Sequence, residues 1–192
     1  HTIFHQPENN FTLQIGNGKT IANITKIKTI NNFRNLDVSL GGQGAPLVPI
    51  GDLYLFHEYK YCINLGGFAN ISIKQKHKII AFDICPVNIV MNKISKKLLL
   101  DFDKNGDIAK NGKLIPKLLE KLNNLDFYKQ KAPKSLAREW VEKFITPLLL
   151  SHYEAKDMLH TFCEHVAIQI GVLLNDKSAL FTGGGVFNSY LM

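Results

Sequence analysis

Tyr61-Cys62-Ile63-Asn64-Leu65-Gly66-Gly67-Phe68-Ala69-Asn70-Ile71-Ser72-Ile73 holds two short stretches, with Tyr61 and Ile63 in one and Ile71 and Ile73 in the other, separated by a glycine pair. Such side chains fit a pleated surface, so Tyr61 to Leu65 and Ala69 to Ile73 read as strands, with Gly66-Gly67 as the turn between them. Lys78-Ile79-Ile80-Ala81-Phe82 reads as a third strand, and Asp83-Ile84-Cys85-Pro86 leads into a predicted helix from Val87 to Leu99. Strands joined by short turns and followed by a helix indicate an α/β class.

That order of elements, with Asn64 and Asp83 at strand ends, is the opening unit of a ribonuclease H-like half-domain. Downstream, Asp101-Phe102-Asp103-Lys104-Asn105-Gly106 matches the first half of a calcium loop, but the twelfth position, where such a loop needs Glu, is Gly112. It therefore reads as a polar turn between helices. Ile115 to Leu122 and Arg138 to Ile145 are predicted short helices, the latter ended by Thr146-Pro147, and Ala132-Pro133-Lys134-Ser135 marks a loop. Lys156 to Leu174 places Leu159, Phe162, Cys163, Val166, Ile170 and Leu173 at helical spacing and is the longest predicted helix. His165 lies among these apolar positions and reads as a satisfied or partly exposed histidine. Ser178-Ala179-Leu180-Phe181 then reads as a buried strand running into Thr182-Gly183-Gly184-Gly185, with a helix behind. A strand, a glycine turn and a helix start are a geometry by which backbone amides receive a nucleotide or phosphate.

Upstream, Asn35-Leu36-Asp37-Val38-Ser39-Leu40-Gly41-Gly42-Gln43-Gly44-Ala45-Pro46-Leu47-Val48-Pro49 puts one carboxylate, Asp37, beside three glycines and two prolines. The glycines exclude a helix interior and leave backbone N–H groups open to a ligand, so the stretch reads as a loop carrying a candidate reaction site. Thr12 to Gly16 and Lys19 to Ala22 read as a hairpin about Asn17-Gly18, Lys28 to Phe33 as a further strand, and Ile50 to Tyr59 as a helix.

Bulk properties narrow the function classes. The formal net charge is +7, but the lysines are scattered and do not form an arginine-rich tract with interleaved aromatics, which argues against nucleic acid. Three cysteines at wide spacing, Cys62, Cys85 and Cys163, offer neither a CxxC pair nor a metal-ligand pattern and fit reduced thiols of a cytoplasmic protein. No apolar run reaches the length of a membrane span; the longest, Val166 to Ala179, is broken by Gln169, Asn175 and Asp176. The start at His1-Thr2-Ile3 and the stop at Tyr190-Leu191-Met192 read as those of a fragment.

Phe33-Arg34-x-x-Asp37-Val38-x-x-Gly41-Gly42-Gln43-Gly44-Ala45-Pro46-Leu47-Val48-Pro49, Asn64-Leu65-Gly66-Gly67-x-Ala69-Asn70-x-Ser72 and Thr182-Gly183-Gly184-Gly185-x-x-Asn188 together closely resemble the anhydro-N-acetylmuramic acid kinases of bacteria. His1-Thr2-x-x-His5-x-Pro7, Leu13-Gln14-Ile15-Gly16 and Ala132-Pro133-Lys134-Ser135 also fit, so the likeness covers nearly the whole chain. The resemblance implies the sugar kinase, actin and heat-shock ATPase fold: two ribonuclease H-like domains with mixed sheets flanked by helices, incomplete here at both ends. Residues 1–60 would end the first domain and 61–192 would form most of the second.

The activity implied is ATP-dependent: water opens the 1,6-anhydro ring of a recycled cell-wall sugar, and O6 is phosphorylated. By the same analogy Asp37 would be the general base, with Gly41, Gly42, Gln43, Gly44, Asp83, Asn88 and Glu164 on the substrate. Asn64, Gly66, Gly67, Asn70, Gly183, Gly184, Gly185 and Asn188 would lie on ATP. Mg²⁺ would accompany the nucleotide, and no residue is assigned as a metal ligand of the protein. A homodimer is also implied, with the 156–174 helix as a candidate interface.

Three departures from the family pattern stand out. Asp-Thr-Gly-Pro-Gly-Asn is replaced by Asp83-Ile84-Cys85-Pro86-Val87-Asn88, and Lys-Ser-Thr-Gly-Arg-Glu by Lys134-Ser135-Leu136-Ala137-Arg138-Glu139. The Gly-Thr-Ser-x-Asp-Gly phosphate loop would precede His1, so the expectation is that these 192 residues alone are inactive. The alternative is a catalytically silent sugar- or nucleotide-binding relative on the same fold.

Overall fold

The structure is a computed structural model that describes residues 2–6, 9–42, 44, 46–76, 78–149, 152–175 and 178–192. The chain divides into two compact units, His1–Ile50 and Gly51–Met192.

In the first unit, β1 (Thr2–Gln6) and β2 (Phe11–Gln14) pair antiparallel. The hairpin expected about Asn17-Gly18 does not form. Asn17 instead caps α1 (Gly18–Thr25), its side-chain oxygen accepting from the Thr20 N–H at 3.0 Å. Asparagine serves turns and helix N-caps equally well, and here the cap takes it. The strand expected from Lys28 to Phe33 is also absent: residues 26–32 are irregular, and Phe33 opens α2 (Phe33–Ser39). Asp37 therefore sits in the last turn of a helix, and the glycine run begins only after it. The helix expected over residues 50–59 is shorter: α3 (Pro49–Leu55) begins at the end of the first unit and continues into the second, with proline at its first position, where a missing N–H costs nothing, and residues 56–59 are not helical.

The second unit carries the expected sheet. β3 (Tyr61–Leu65), β4 (Phe68–Gln75) and β5 (Lys78–Pro86) form an antiparallel meander, and β6 (Ala179–Thr182) lies parallel to β3, giving the order β5-β4-β3-β6. This mixed sheet is flanked by helices, the α/β arrangement read from the sequence. Alternation sorts its two faces: Ile63 and Leu65 of β3 and Ala69 and Ile71 of β4 are fully buried, while Asn64 and Asn70 point the other way. β6 was expected to be a buried strand, but Ala179, Leu180 and Phe181 are only half-buried because the strand lies at an edge of the described sheet.

The helices of this unit that follow the meander are α4 (Asn88–Ser95), α5 (Asp107–Lys110), α6 (Pro116–Asn123), α7 (Asp126–Lys129), α8 (Arg138–Trp140) and α9 (Ala155–Gly171). α8 widens into a π-type segment over Val141–Ile145 and closes in a tight turn at Thr146–Leu148. α9 is the central one, packing on β5, α4, α5 and α6. Met158, Leu159, Phe162 and Val166 have no exposed surface, so the face they form is core and unavailable as an interface. Asp101 to Gly106 is the polar turn expected: Asp103 accepts from the Ile108 and Ala109 N–H groups at 2.9 Å each and thereby caps α5.

His165, on α9, is completely buried. Asn123 Oδ1 already accepts from Gln169 at 3.0 Å, so His165 Nδ1–H donates to that same oxygen at 2.6 Å and Nε2 accepts from the Tyr128 hydroxyl at 2.9 Å. Burial disfavours the imidazolium and lowers the pKa to about 3 from an ordinary value of 6.5. The unfolded chain therefore binds a proton that the folded protein refuses, and stability falls as pH drops from 6.5 towards 3. Urea titrations across that window should show this group's contribution, approaching about 1.4 kcal/mol per pH unit. A His165→Gln variant should show a shallower slope; an unchanged slope would contradict the assignment.

Candidate active site

The residues expected at the site fall into two groups, one in each unit. In the first, Asp37 is half-buried, and its Oδ2 accepts from the Gly44 N–H at 2.6 Å. The Gly42 N–H donates to the Asp37 carbonyl at 2.8 Å, and Arg34 Nη1 donates to the Gly44 carbonyl at 2.7 Å. The chain thus turns back over the carboxylate on reaching Gly44. The close fit explains the glycines: a Cβ on Gly42 would lie 2.2 Å from the Asp37 carboxylate, and one on Gly44, at φ +65°, would lie 2.7 Å from Val38. Asp37 Oδ1 has no hydrogen-bond partner among the described residues. An ionised carboxylate with one oxygen anchored and the other free can accept a proton from a bound hydroxyl or water. Gly41, at φ +85°, belongs to the same turn, and Gln43 lies outside the described residues.

In the second unit the expected nucleotide residues converge at one end of the sheet. Strand register aligns Asp83 with Asn70, Asn70 with Asn64, and Asn64 with Thr182, a polar row across all four strands. Beyond it, Gly66-Gly67 turns β3 into β4, and its carbonyls receive the start of α4: Val87 N–H on Gly67 O at 2.8 Å and Asn88 Nδ2 on Gly66 O at 2.7 Å. The Gly183 to Gly185 turn passes over the end of β3. A Cβ on Gly183, at φ +87°, would meet Asn64 Oδ1 at 2.6 Å and Leu65 O at 2.8 Å, and one on Gly185 would meet Leu65 Cβ at 2.6 Å. Gly184 has ordinary space, with Asn88 Nδ2 4.0 Å away. Behind the turn is a short 3₁₀ segment (Gly184–Phe187) where a helix was expected.

Asn188 is buried, and its Oδ1 accepts from the Tyr190 and Leu191 N–H groups at 3.2 and 3.0 Å, which closes the turn. Glu164 on α9 accepts from the Tyr190 hydroxyl at 2.8 Å, and His160 lies against the same hydroxyl. Asp83 is tied to a distant loop: its N–H donates to Lys134 O at 3.0 Å, and its Oδ2 accepts from the Leu136 N–H at 2.8 Å. Burial raises its pKa, and the Leu136 N–H opposes that shift. The two segments that depart from the family pattern, 83–88 and 134–139, are thus hydrogen-bonded to each other.

A cavity of about 380 Å³ opens beside this end of the sheet, lined by Asn88, Asn92, Phe102, Asn105, Gly184 and Phe187 among others. Phe102, Phe187, Asn92 and Asn105 were not expected as site residues; Phe102 and Asn105 were read only as part of a polar turn. The one available signal was an aromatic residue two positions after the glycine turn, at Phe187. Among the described residues no three acidic, histidine or cysteine side chains cluster as a metal site.

A family profile described as anhydro-N-acetylmuramic acid kinase matches residues 1–192. The chain belongs to that family. It is 36% identical over 206 residues to the anhydro-N-acetylmuramic acid kinase of Pseudomonas fluorescens strain Pf0-1 and 36% identical over 212 residues to that of Aliivibrio fischeri. The Bacillus cereus strain Q1 kinase is 34% identical over 215 residues. Each alignment covers 100% of this chain and 56% of the relative, so the chain spans a little over half the length of these proteins. A solved structure of the activator of the 2-hydroxyisocaproyl-CoA dehydratase from Clostridium difficile with bound ADPNP matches with a TM-score of 0.43 and 16% identity, over 70% of this chain and 48% of the other. That likeness is too distant to inform fold or ligand.

The turn geometry gives a contrast that can be measured. Gly183→Ala should cost about 1–3 kcal/mol in urea unfolding, from a strained φ and a backbone clash. Gly184→Ala, one residue on and with room for a methyl, should cost under about 0.5 kcal/mol. Equal costs would mean that the close approach to Leu65 is not a constraint.

Proposed function

We propose that this chain provides the base and much of the nucleotide-binding part of a kinase that uses ATP and water to convert 1,6-anhydro-N-acetylmuramic acid to N-acetylmuramic acid 6-phosphate in peptidoglycan recycling. Family membership supports the substrate pair. The observation that carries the chemistry is Asp37, with Oδ2 anchored on the Gly44 N–H and Oδ1 free.

In this reading Asp37 accepts a proton from the water that attacks the anomeric carbon. The C1–O6 bond breaks, and O6 takes the γ-phosphoryl group of ATP, releasing ADP. Such a base contributes about 10²–10⁴-fold. Gly41, Gly42, Gly44, Asp83, Asn88 and Glu164 form the substrate side, together with Gln43. Asn64, Gly66, Gly67, Asn70 and Gly183 to Gly185 form the nucleotide side, where small residues and backbone amides admit phosphate oxygens closely. Asn188 serves by holding the turn closed. Mg²⁺ accompanying ATP would supply charge neutralisation for phosphoryl transfer. We place the enzyme in the cytoplasm, consistent with three free buried thiols and with no helix among the described residues long and apolar enough to cross a membrane. A homodimer completes the proposal.

Asp37→Asn in the intact protein should lower ADP release with 1,6-anhydro-N-acetylmuramic acid by about 10²-fold or more. ATP affinity should stay within about two-fold, because the base acts on water and not on the nucleotide. Undiminished turnover by this variant would remove Asp37 from the mechanism.

A further inference from the structure

His160 and Glu164 stand one helical turn apart on α9 and therefore share a face of that helix. Tyr190 reaches the same face from the chain beyond the glycine turn. Its hydroxyl donates to Glu164 Oε1 at 2.8 Å and lies 3.0 Å from His160 Nδ1. All three residues are half-buried.

The hydrogens of this group follow from its partners. His160 Nδ1 also lies 2.9 Å from the Ala109 carbonyl, which can only accept, so Nδ1 carries the hydrogen. The Tyr190 oxygen shares that N–H and gives its own hydrogen to the carboxylate. The two rings lie against each other, with centroids 5.2 Å apart and planes 33° apart. Burial raises the Tyr190 pKa above its ordinary value of 10, and the bond to Glu164 raises it further, so the phenol stays a donor. Glu164 Oε1 is thereby held, while Oε2 has no hydrogen-bond partner among the described residues. A carboxylate with one oxygen held and the other open presents a fixed acceptor to a hydroxyl.

Tyr190 is itself anchored on the glycine turn. Its N–H donates to Asn188 Oδ1 at 3.2 Å, and the Asn188 N–H donates to Gly185 O at 3.1 Å. The Ser189 N–H donates to Asn105 O at 2.9 Å, which joins this stretch to the polar turn at 102–106. The hydroxyl that holds Glu164 is thus carried on backbone tied to the turn assigned to the nucleotide. Beside it a cavity of about 430 Å³ is lined by Asn105, Asp107, Lys110, Ser189 and Tyr190, so the group borders open space.

We infer that Tyr190 is a positioning residue for Glu164. Its hydroxyl, directed by His160, fixes the carboxylate relative to the Gly183–Gly185 turn so that Oε2 meets a hydroxyl of the sugar. The inference rests on the place of Glu164 on the substrate side proposed above and adds to it the two residues that aim the carboxylate.

The test is steady-state ADP release by the intact protein with 1,6-anhydro-N-acetylmuramic acid and ATP, with thermal melting as the folding control. Tyr190→Phe and His160→Leu are compared with wild type, each alone and combined with Glu164→Ala. Tyr190→Phe keeps the ring and removes the donor, so it should raise the sugar KM about ten-fold, with kcat and the ATP KM within about two-fold. His160→Leu should raise the sugar KM about three-fold, since it removes only the group that directs the hydroxyl. Glu164→Ala should raise it at least as much as Tyr190→Phe, and neither change should add to it in the double variants, because both act through Glu164. A wild-type sugar KM in Tyr190→Phe beside a raised one in Glu164→Ala would overturn the inference and leave Glu164 on the substrate. Effects that multiply in the double variants would also overturn it, because Tyr190 would then act apart from Glu164. If Tyr190→Phe melts early, His160→Leu with and without Glu164→Ala decides by the same comparison. A wild-type sugar KM in Glu164→Ala would remove Glu164 from the substrate side and this inference with it.

Discussion

The second unit depends on how closely two glycine turns approach the end of one strand. Leu65 ends β3 fully buried, and Gly183 and Gly185 pass within what would be 3 Å of its carbonyl and side chain if either carried a Cβ. On the other side, the Gly66-Gly67 carbonyls are taken up by the first N–H groups of α4 and by the Asn88 amide. Three chain segments far apart in sequence therefore meet at one strand end without intervening side chains. That bare backbone is what makes the region fit for a ligand with many oxygens, and it is held by a core in which Ile63, Leu65 and Ile71 share a cluster with Phe162 and Val166.

The same economy appears around Asp37 on a smaller scale. The helix ends, the chain folds back, and the Gly44 N–H satisfies one carboxylate oxygen. A side chain at residue 42 would fill the space the carboxylate occupies. One oxygen is thereby held while its neighbour stays free for a proton, which a carboxylate on an open loop would not guarantee.

The link between Asp83 and residues 134–136 gives the two departures from the family pattern a shared physical setting. Replacing hydroxyl and glycine positions in both segments changes two sides of one contact, in which a half-buried carboxylate is balanced by a backbone N–H. Leu136 contributes that N–H from its main chain, so the contact does not depend on the side chain that changed. The departures thus leave in place the interaction that positions Asp83.

The sequence by itself determined the sheet of the second unit, the long helix behind it and the family. Strand alternation, a β-branched run of sufficient length and glycine at a turn are local signals that tertiary packing reinforced. It also named most of the residues that gather at the sheet end, because glycines at close approaches leave a mark in the sequence itself. Tertiary structure alone decided the rest. Asn17 could serve a turn or a helix cap, and Asp37 could lie in a loop or a last helical turn, since short segments carry propensities too weak to choose. Joining of the 102–106 turn to the 187–190 turn, burial of His165 between Tyr128 and Asn123, and the cavity with its two exposed phenylalanines all depend on contacts between residues distant in the chain. Composition and spacing record what each residue can do, whereas these features depend on which residues meet.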